Sequence, residues 1–162
     1  MKKTAAGVGL GAGVIALLAN FAVPMLQREE GTRYKAYADI VNVMTVCTGH
    51  TGPDVVIGKT YTAAECYAMT LHDAEVAASG VLKYSPKLEE HPKMLASFIS
   101  FSYNVGVGTY AKSSVRSAFD AGRYQEACDN LLKYDRAGGV VVKGLHNRRV
   151  REQELCLSGI GK

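Results

Sequence analysis

The feature that most constrains this chain is the stop at Gly31, between one acid that ends an apolar stretch and a second acid nine positions later, Glu30 and Asp39. A helix advances about 100° per residue, so a continuous helix would send these carboxylates to opposite faces. With the helix ended at Gly31, they can face one cleft. The run 39–46 is rich in β-branched residues and holds Asn42 for a turn, which predicts a hairpin. Helix end and hairpin then each carry one acid, and Thr45 adds a hydroxyl.

Two carboxylates in unlike surroundings are the equipment for cleaving a glycosidic bond. One stays protonated to donate to the leaving oxygen, while the other stays ionised to activate water or stabilise positive charge. Glu30, after an apolar helix, suits the acid role because desolvation raises a carboxyl pKa. Asp39, next to a polar turn, suits the ionised role, and the Thr45 hydroxyl can hold a water. From composition alone the simpler reading is two surface acids, since the surface is where acids are commonest.

The order Glu30-Gly31, Tyr37, Asp39, Thr45, Gly49, His50 resembles the catalytic signature of the phage lysozymes of the T-even type, glycoside hydrolase family 24. The likeness continues through Tyr61-Thr62, Ser102-Tyr103-Asn104-Val105-Gly106, Gly144-Leu145 and Asn147-Arg148-Arg149, and covers nearly all of residues 28–158. It implies a mainly α (α+β), two-lobed lysozyme-like fold, with a small β-hairpin in the N-terminal lobe, a long connecting helix and a helical C-terminal lobe. It implies hydrolysis of the β-1,4 bond between N-acetylmuramic acid and N-acetylglucosamine in peptidoglycan. Glu30 would be the general acid, Asp39 the second carboxylate and Thr45 the residue that places water. Asn104 and Arg148 would meet substrate, and Asp73 would pair with His50 as structural support. Glu29 adjoins the acid, but Gly31 and the spacing to Asp39 select Glu30. The chain departs from the family twice, with Cys47 at a usual glycine and Asn42 at the turn glycine. Asn tolerates left-handed backbone, and Cys47 suggests a disulfide in the hairpin.

A length of 162 residues with 48% hydrophobic and 21% charged residues allows one domain with a real core and argues against a disordered chain. The net charge of +4 favours an anionic polymer without choosing between cell wall and nucleic acid. The resemblance chooses peptidoglycan glycan strands, with no nucleic acid and no metal or other cofactor.

Residues 4–27 carry no charge and follow Lys2 and Lys3. The run exceeds the roughly 20 residues needed to cross a bilayer, yet Gly7, Gly9, Gly11, Gly13 and six alanines make it weakly apolar. A cleaved signal peptide, a permanent anchor and a releasable anchor all fit such a run, although no clear A-x-A site precedes the domain. The Gly/Ala-rich N-terminus resembles that of the signal-arrest-release endolysins of lambdoid phages. That likeness implies residues 1–27 as a membrane segment, contacting the inner membrane through residues 4–26, and residues 28–162 as the catalytic domain. Lys2 and Lys3 would stay cytoplasmic and the domain would face outward. It would enter the periplasm on release, as a monomer.

Farther on, Thr62 and Glu65 form a capping-box pattern at the head of a helix over 62–79. Helices follow over 94–104, 113–121, 124–134 and 145–157, and Gly138-Gly139 opens a loop. Leu95, Phe98, Ile99 and Phe101 read as core. Arg148, Arg149 and Arg151 read as a solvated face or as inter-helix ion pairs. Cys47, Cys66, Cys128 and Cys156 lack a C-x-x-C pair, which argues against zinc, and an even count behind an export segment argues for disulfides. The resemblance implies Cys47 with Cys66 and Cys128 with Cys156. A lytic transglycosylase acting on the same bond and a non-catalytic, membrane-tethered wall-binding module remain as alternatives.

Overall fold

The computed structural model describes residues 9–39 and 42–161. Lys2, Lys3 and Gly7, on which the orientation and part of the glycine pattern rest, lie outside the described residues. The chain opens with helix α1, Ala12–Leu17, continues through a π-helical turn, Leu18–Ala22, and resumes as α2, Val23–Glu30. The π turn has a local cause. Pro24 has no N–H to donate, and its ring would crowd the carbonyl four residues back. The chain widens just before it, with the Val23 N–H bonded to the Leu18 carbonyl.

This N-terminal stretch, which reads in the sequence as a membrane candidate, is packed into the main core. Val14, Leu17, Leu18, Ala22, Val23 and Leu26 are buried in the same cluster as Val81, Leu95, Phe98 and Phe101. Burial of such aliphatic side chains stabilises a fold by about 1.5–3 kcal/mol each. No described helix is long and apolar enough to cross a membrane.

After Gly31 (φ 69°) the chain enters a three-stranded antiparallel sheet of β1 (Arg33–Ala38), β2 (Met44–Cys47) and β3 (His50–Thr51). Tyr37 pairs with Thr45, Ala38 with Met44, and Val46 with His50. The hairpin begins earlier than the β-branched run suggests: Arg33–Ala38 is its first strand and Asp39 lies just beyond it. Beneath the sheet is a small second core whose fully buried members are Val46, Cys47, Tyr61 and Cys66.

Helix α3, Ala63–Tyr84, joins the lobes. The Thr62 hydroxyl accepts from the Glu65 N–H at 3.2 Å, and the Glu65 carboxylate accepts from the Thr62 N–H at 2.7 Å, closing the capping box. The helix runs past the expected end at 79 because Ala78, Val81 and Leu82 continue its buried face. Gly80 lets α5 (Val107–Ala111) close on it, since a Cβ there would lie 2.6 Å from Val107.

Helix α4, Pro92–Val105, is the axis of the C-terminal lobe, and every residue from Met94 to Ser102 is buried. Around it lie α6 (Ser114–Asp120), α7 (Tyr124–Asn130) and α8 (Lys143–Leu157). The segment expected as one helix over 124–134 passes into a 3-10 turn at Leu131–Tyr134. The Gly138-Gly139 loop is a two-residue turn between short strands β4 (Arg136–Ala137) and β5 (Val140–Val141). Both glycines have positive φ, as such hairpin turns require.

Two disulfides staple the lobes separately: Cys47–Cys66 ties β2 to the first turns of α3, and Cys128–Cys156 ties α7 to α8. Closing loops of this length stabilises a fold by about 3 kcal/mol each. The pairs are those the resemblance implies.

Leu18→Ala should cost about 2–5 kcal/mol, because Leu18 is fully buried against α3 and α4. Urea unfolding of the purified protein, read as a lower midpoint with an unchanged m-value, measures it. An unchanged midpoint would mean that the helix is not part of the cooperative unit.

Candidate active site

Glu29 and Glu30 end α2, where the helix dipole is negative and acids are disfavoured. Cations on α8 offset this. Arg151 holds the Glu29 carboxylate through two nitrogens, and Arg148 Nη1 donates to Glu30 Oε1. The Arg151 hydrogen bond, acting against burial, leaves the Glu29 pKa below the usual carboxylate value. Consecutive helix positions diverge by about 100°, so the two acids take different fates. The Glu29 side chain is 3% exposed and Glu30's is 28% exposed. Glu30 therefore has a cation at its carboxylate, in place of the apolar surroundings expected from the preceding helix.

Arg148 is held from behind. Its Nε lies 3.1 Å from Glu152 Oε1, and its Nη2 donates to the Ser100 carbonyl at 3.0 Å. Glu152, wholly buried, also accepts from the Ser100 hydroxyl at 2.7 Å, while Ser97 donates to its backbone carbonyl at 2.7 Å. Arg149, also wholly buried, pairs with Glu152, donates to Asn104 Oδ1 at 3.1 Å and lies 5.0 Å from the centroid of the Phe101 ring. Arg148 and Arg149 thus form no solvated face. Both pair with Glu152 inside α8, Arg148 adds an inter-helix ion pair to Glu30, and Arg149 adds an inter-helix hydrogen bond to Asn104, so the Arg148 guanidinium is already engaged by protein groups.

On the sheet, Asp39 caps its own turn. Asp39 Oδ1 accepts from the Val43 N–H at 2.8 Å, and the Asp39 N–H donates to the Val43 carbonyl at 2.9 Å. Asn42 supplies the left-handed residue of this turn, at φ 62°. Thr45, buried on β2 between Tyr37 and Thr51, donates its hydroxyl proton to the Val43 carbonyl at 3.1 Å. The turn after β2 is tied to α4 by the Tyr103 hydroxyl, which donates to the Thr48 carbonyl at 2.7 Å.

His50, first residue of β3, lies between two carboxylates. Nδ1 is 2.8 Å from Asp73 Oδ2 on α3, and Nε2 is 3.0 Å from Asp54 Oδ2. Burial pulls its pKa down, but hydrogen bonds and charge from Asp73 and Asp54 outweigh it, and the net shift is upward.

The structure thus brings Glu30 to Arg148, His50 to Asp73, and Asn104 to Arg149. Sequence reasoning missed Glu152, Ser100, Asp54 and the latch made by Tyr103. Glu152 carried a signal in its i,i+4 spacing from Arg148 on the last helix. Asp54 carried none, because its approach to His50 depends on how the loop after β3 folds. Among the described residues, no group of three His, Cys, Asp or Glu side chains is placed to hold a metal ion.

Residues 27–152 match the phage lysozyme family model, and the chain belongs to that family. It is 40% identical over 158 residues to the SAR-endolysin of Enterobacteria phage P21, covering 98% of this chain and 95% of the relative. A mutant of the P22 lysozyme superposes with a TM-score of 0.72 at 29% identity, over 84% of this chain and 94% of the other. The active form of the phage P1 endolysin shares the fold, with a TM-score of 0.77 at 21% identity over 91% and 93% of the two chains. The protein is a lysozyme, a glycoside hydrolase of peptidoglycan, with the mainly α, two-lobed fold.

The His50 contacts predict a pH dependence. A histidine whose folded pKa is raised contributes stability that is complete below its unfolded value of about 6.5 and is lost as pH rises through the folded value. Asp73→Asn should lower the His50 pKa and flatten this part of the stability profile between pH 6 and 8. Histidine NMR titration together with urea unfolding across that range checks both. A His50 titration unmoved by the substitution would refute the pairing.

Proposed function

We propose that Glu30 is the general acid that protonates the leaving oxygen, that Asp39 is the second carboxylate, and that Thr45 places the attacking water. The observation that carries this reading is the Glu30–Arg148 contact. A cation offsets the dipole for any acid at this helix end, but a guanidinium braced from behind by Ser100 and Glu152 also fixes where that acid stands. A partly exposed acid that must keep one position beside a substrate gains orientation from it. Arg148 then acts as a positioning residue for Glu30 and not as a wall contact, while exposed Asn104 is the better placed of the two to meet sugar. Asp39 and Thr45 share one hairpin turn through Val43, so their relative position is fixed by backbone. His50 and Asp73 support that hairpin from behind.

The membrane reading is carried by the first helix. Residues 4–26 tether the protein to the inner membrane with the domain outward, and the released protein is a periplasmic monomer. Six side chains of this stretch belong to the core, and the same helix ends in Glu30. With residues 4–26 in lipid, those side chains are unavailable to α3 and α4, and Glu30 lies only about 6 Å beyond the helix portion in the membrane, at 1.5 Å per residue. The tethered form is therefore inactive, and release assembles the acid onto Arg148.

Glu30→Gln should reduce formation of reducing ends from purified peptidoglycan at least a thousandfold, with an unchanged circular dichroism spectrum. Full activity in that variant would reject Glu30 as the acid. Tethered protein in vesicles, offered soluble wall fragments, should be inactive beside released protein, and equal rates would reject coupling of release to assembly.

A further inference from the structure

We infer that Cys47 and Cys66 are positioning residues for the hydrolysis: their disulfide holds Cys47 in a left-handed conformation that the catalytic hairpin requires, so that a cystine does here what a glycine would do unaided. This rests on the proposed roles of Asp39 and Thr45.

Cys47 has φ 58°, a region that side chains other than Asn and Asp rarely occupy. It is the last residue of β2, paired with Arg33, two residues after Thr45 and three before His50. The chain reverses immediately after it, through Thr48 and Gly49, and Gly49 is itself at φ 79°. A return of Cys47 to ordinary β geometry would swing this reversal and move His50 from Asp73, or else twist β2 and shift Thr45. The hydrogen bonds of Tyr103 to the Thr48 carbonyl and of His50 to Asp73 hold the residues that follow, but the disulfide acts on Cys47 itself. Two of the four fully buried residues of the second core are the cysteines themselves. The anchor at the other end is firm, since Cys66 follows the capping-box residue Glu65 and its N–H donates to the Thr62 carbonyl at 3.0 Å.

Formation of the bond transfers two electrons and two protons from the Cys47 and Cys66 thiols to an external protein disulfide, which leaves as a dithiol. Excess dithiothreitol reverses it, becoming the cyclic disulfide. The fold thus makes activity depend on an oxidising compartment, through backbone geometry at one residue.

The experiment compares the wild-type protein with two double variants, each assayed for peptidoglycan hydrolysis with and without dithiothreitol and checked for folding by circular dichroism. Cys47→Ser with Cys66→Ser should lose at least tenfold in kcat, and reduced wild type should fall to the same level. Cys47→Gly with Cys66→Ser, which has no crosslink but a residue at ease in left-handed geometry, should recover most of that loss and ignore the reductant. The serine pair retaining wild-type kcat would overturn the inference. So would a glycine pair as impaired as the serine pair, which would make the crosslink itself the requirement. Thr45→Ala in the same assay separates the two readings: full activity there would reject the role of Thr45, while the contrast between glycine and serine would still decide the role of Cys47.

Discussion

The structure depends on a largely buried set of charges that joins the end of the first helix to the last. Glu29 and Glu30 on α2 meet Arg151 and Arg148 on α8, and Glu152 lies between Arg148 and Arg149. Three carboxylates and three guanidiniums balance, so the interior carries no net charge from them. Such a set adds little stability over well-packed apolar residues, because desolvation offsets most of the attraction. What it contributes is register. A wholly apolar contact between α2 and α8 would tolerate a slide or rotation, whereas an arginine fork accepts one geometry. That geometry fixes the side chain on which the chemistry is proposed to turn.

Dependence on this set explains why an acid can stand at the unfavourable end of a helix. Burial pushes the Glu152 pKa up against the pull of Arg149, Arg148 and the Ser100 hydroxyl, and pulls that of Arg149 down against the pull of Glu152. The serines of α4 therefore matter more than their size suggests. Ser97 and Ser100 occupy buried positions where an alanine would fit, and both spend their hydroxyls on Glu152. Removing either leaves a buried acceptor short of a donor, at a cost of about 1–3 kcal/mol.

The elements around Glu30 were legible in the sequence because each is announced by a residue whose backbone preference is local. Gly31 ends a helix, Asn42 turns a hairpin, and Thr62 with Glu65 starts a helix, whatever the rest of the chain does. The burial of Arg148, Arg149 and Glu152 was not legible, since charge reads as solvent unless its partners, here on two other helices, are known. The packing of the N-terminal helix was not legible for a related reason. A run without charge has no polar face, so periodicity cannot separate a helix destined for lipid from one destined for a protein core. In the packed domain its fit is one of shape: Leu18, Ala22, Val23 and Leu26 lie against α3 and α4.

The two lobes solve the problem of stability differently, and the difference explains where each disulfide matters. The C-terminal lobe buries a continuous cluster running from Leu88 through Phe101 to Leu131, and Cys128–Cys156 adds to a core that already exists. The sheet lobe has strands of only six, four and two residues, and a two-residue strand cannot specify its own register. Its order is imposed from outside: by Cys66 through the disulfide, by Asp73 through His50, and by Tyr103 through the Thr48 carbonyl. All three anchors come from α3 or α4 and converge on residues 47–50, where the chain reverses. The turn holding Asp39 and Thr45, at the opposite end of β2, is therefore positioned through that strand, and the hairpin is only as well placed as those three attachments.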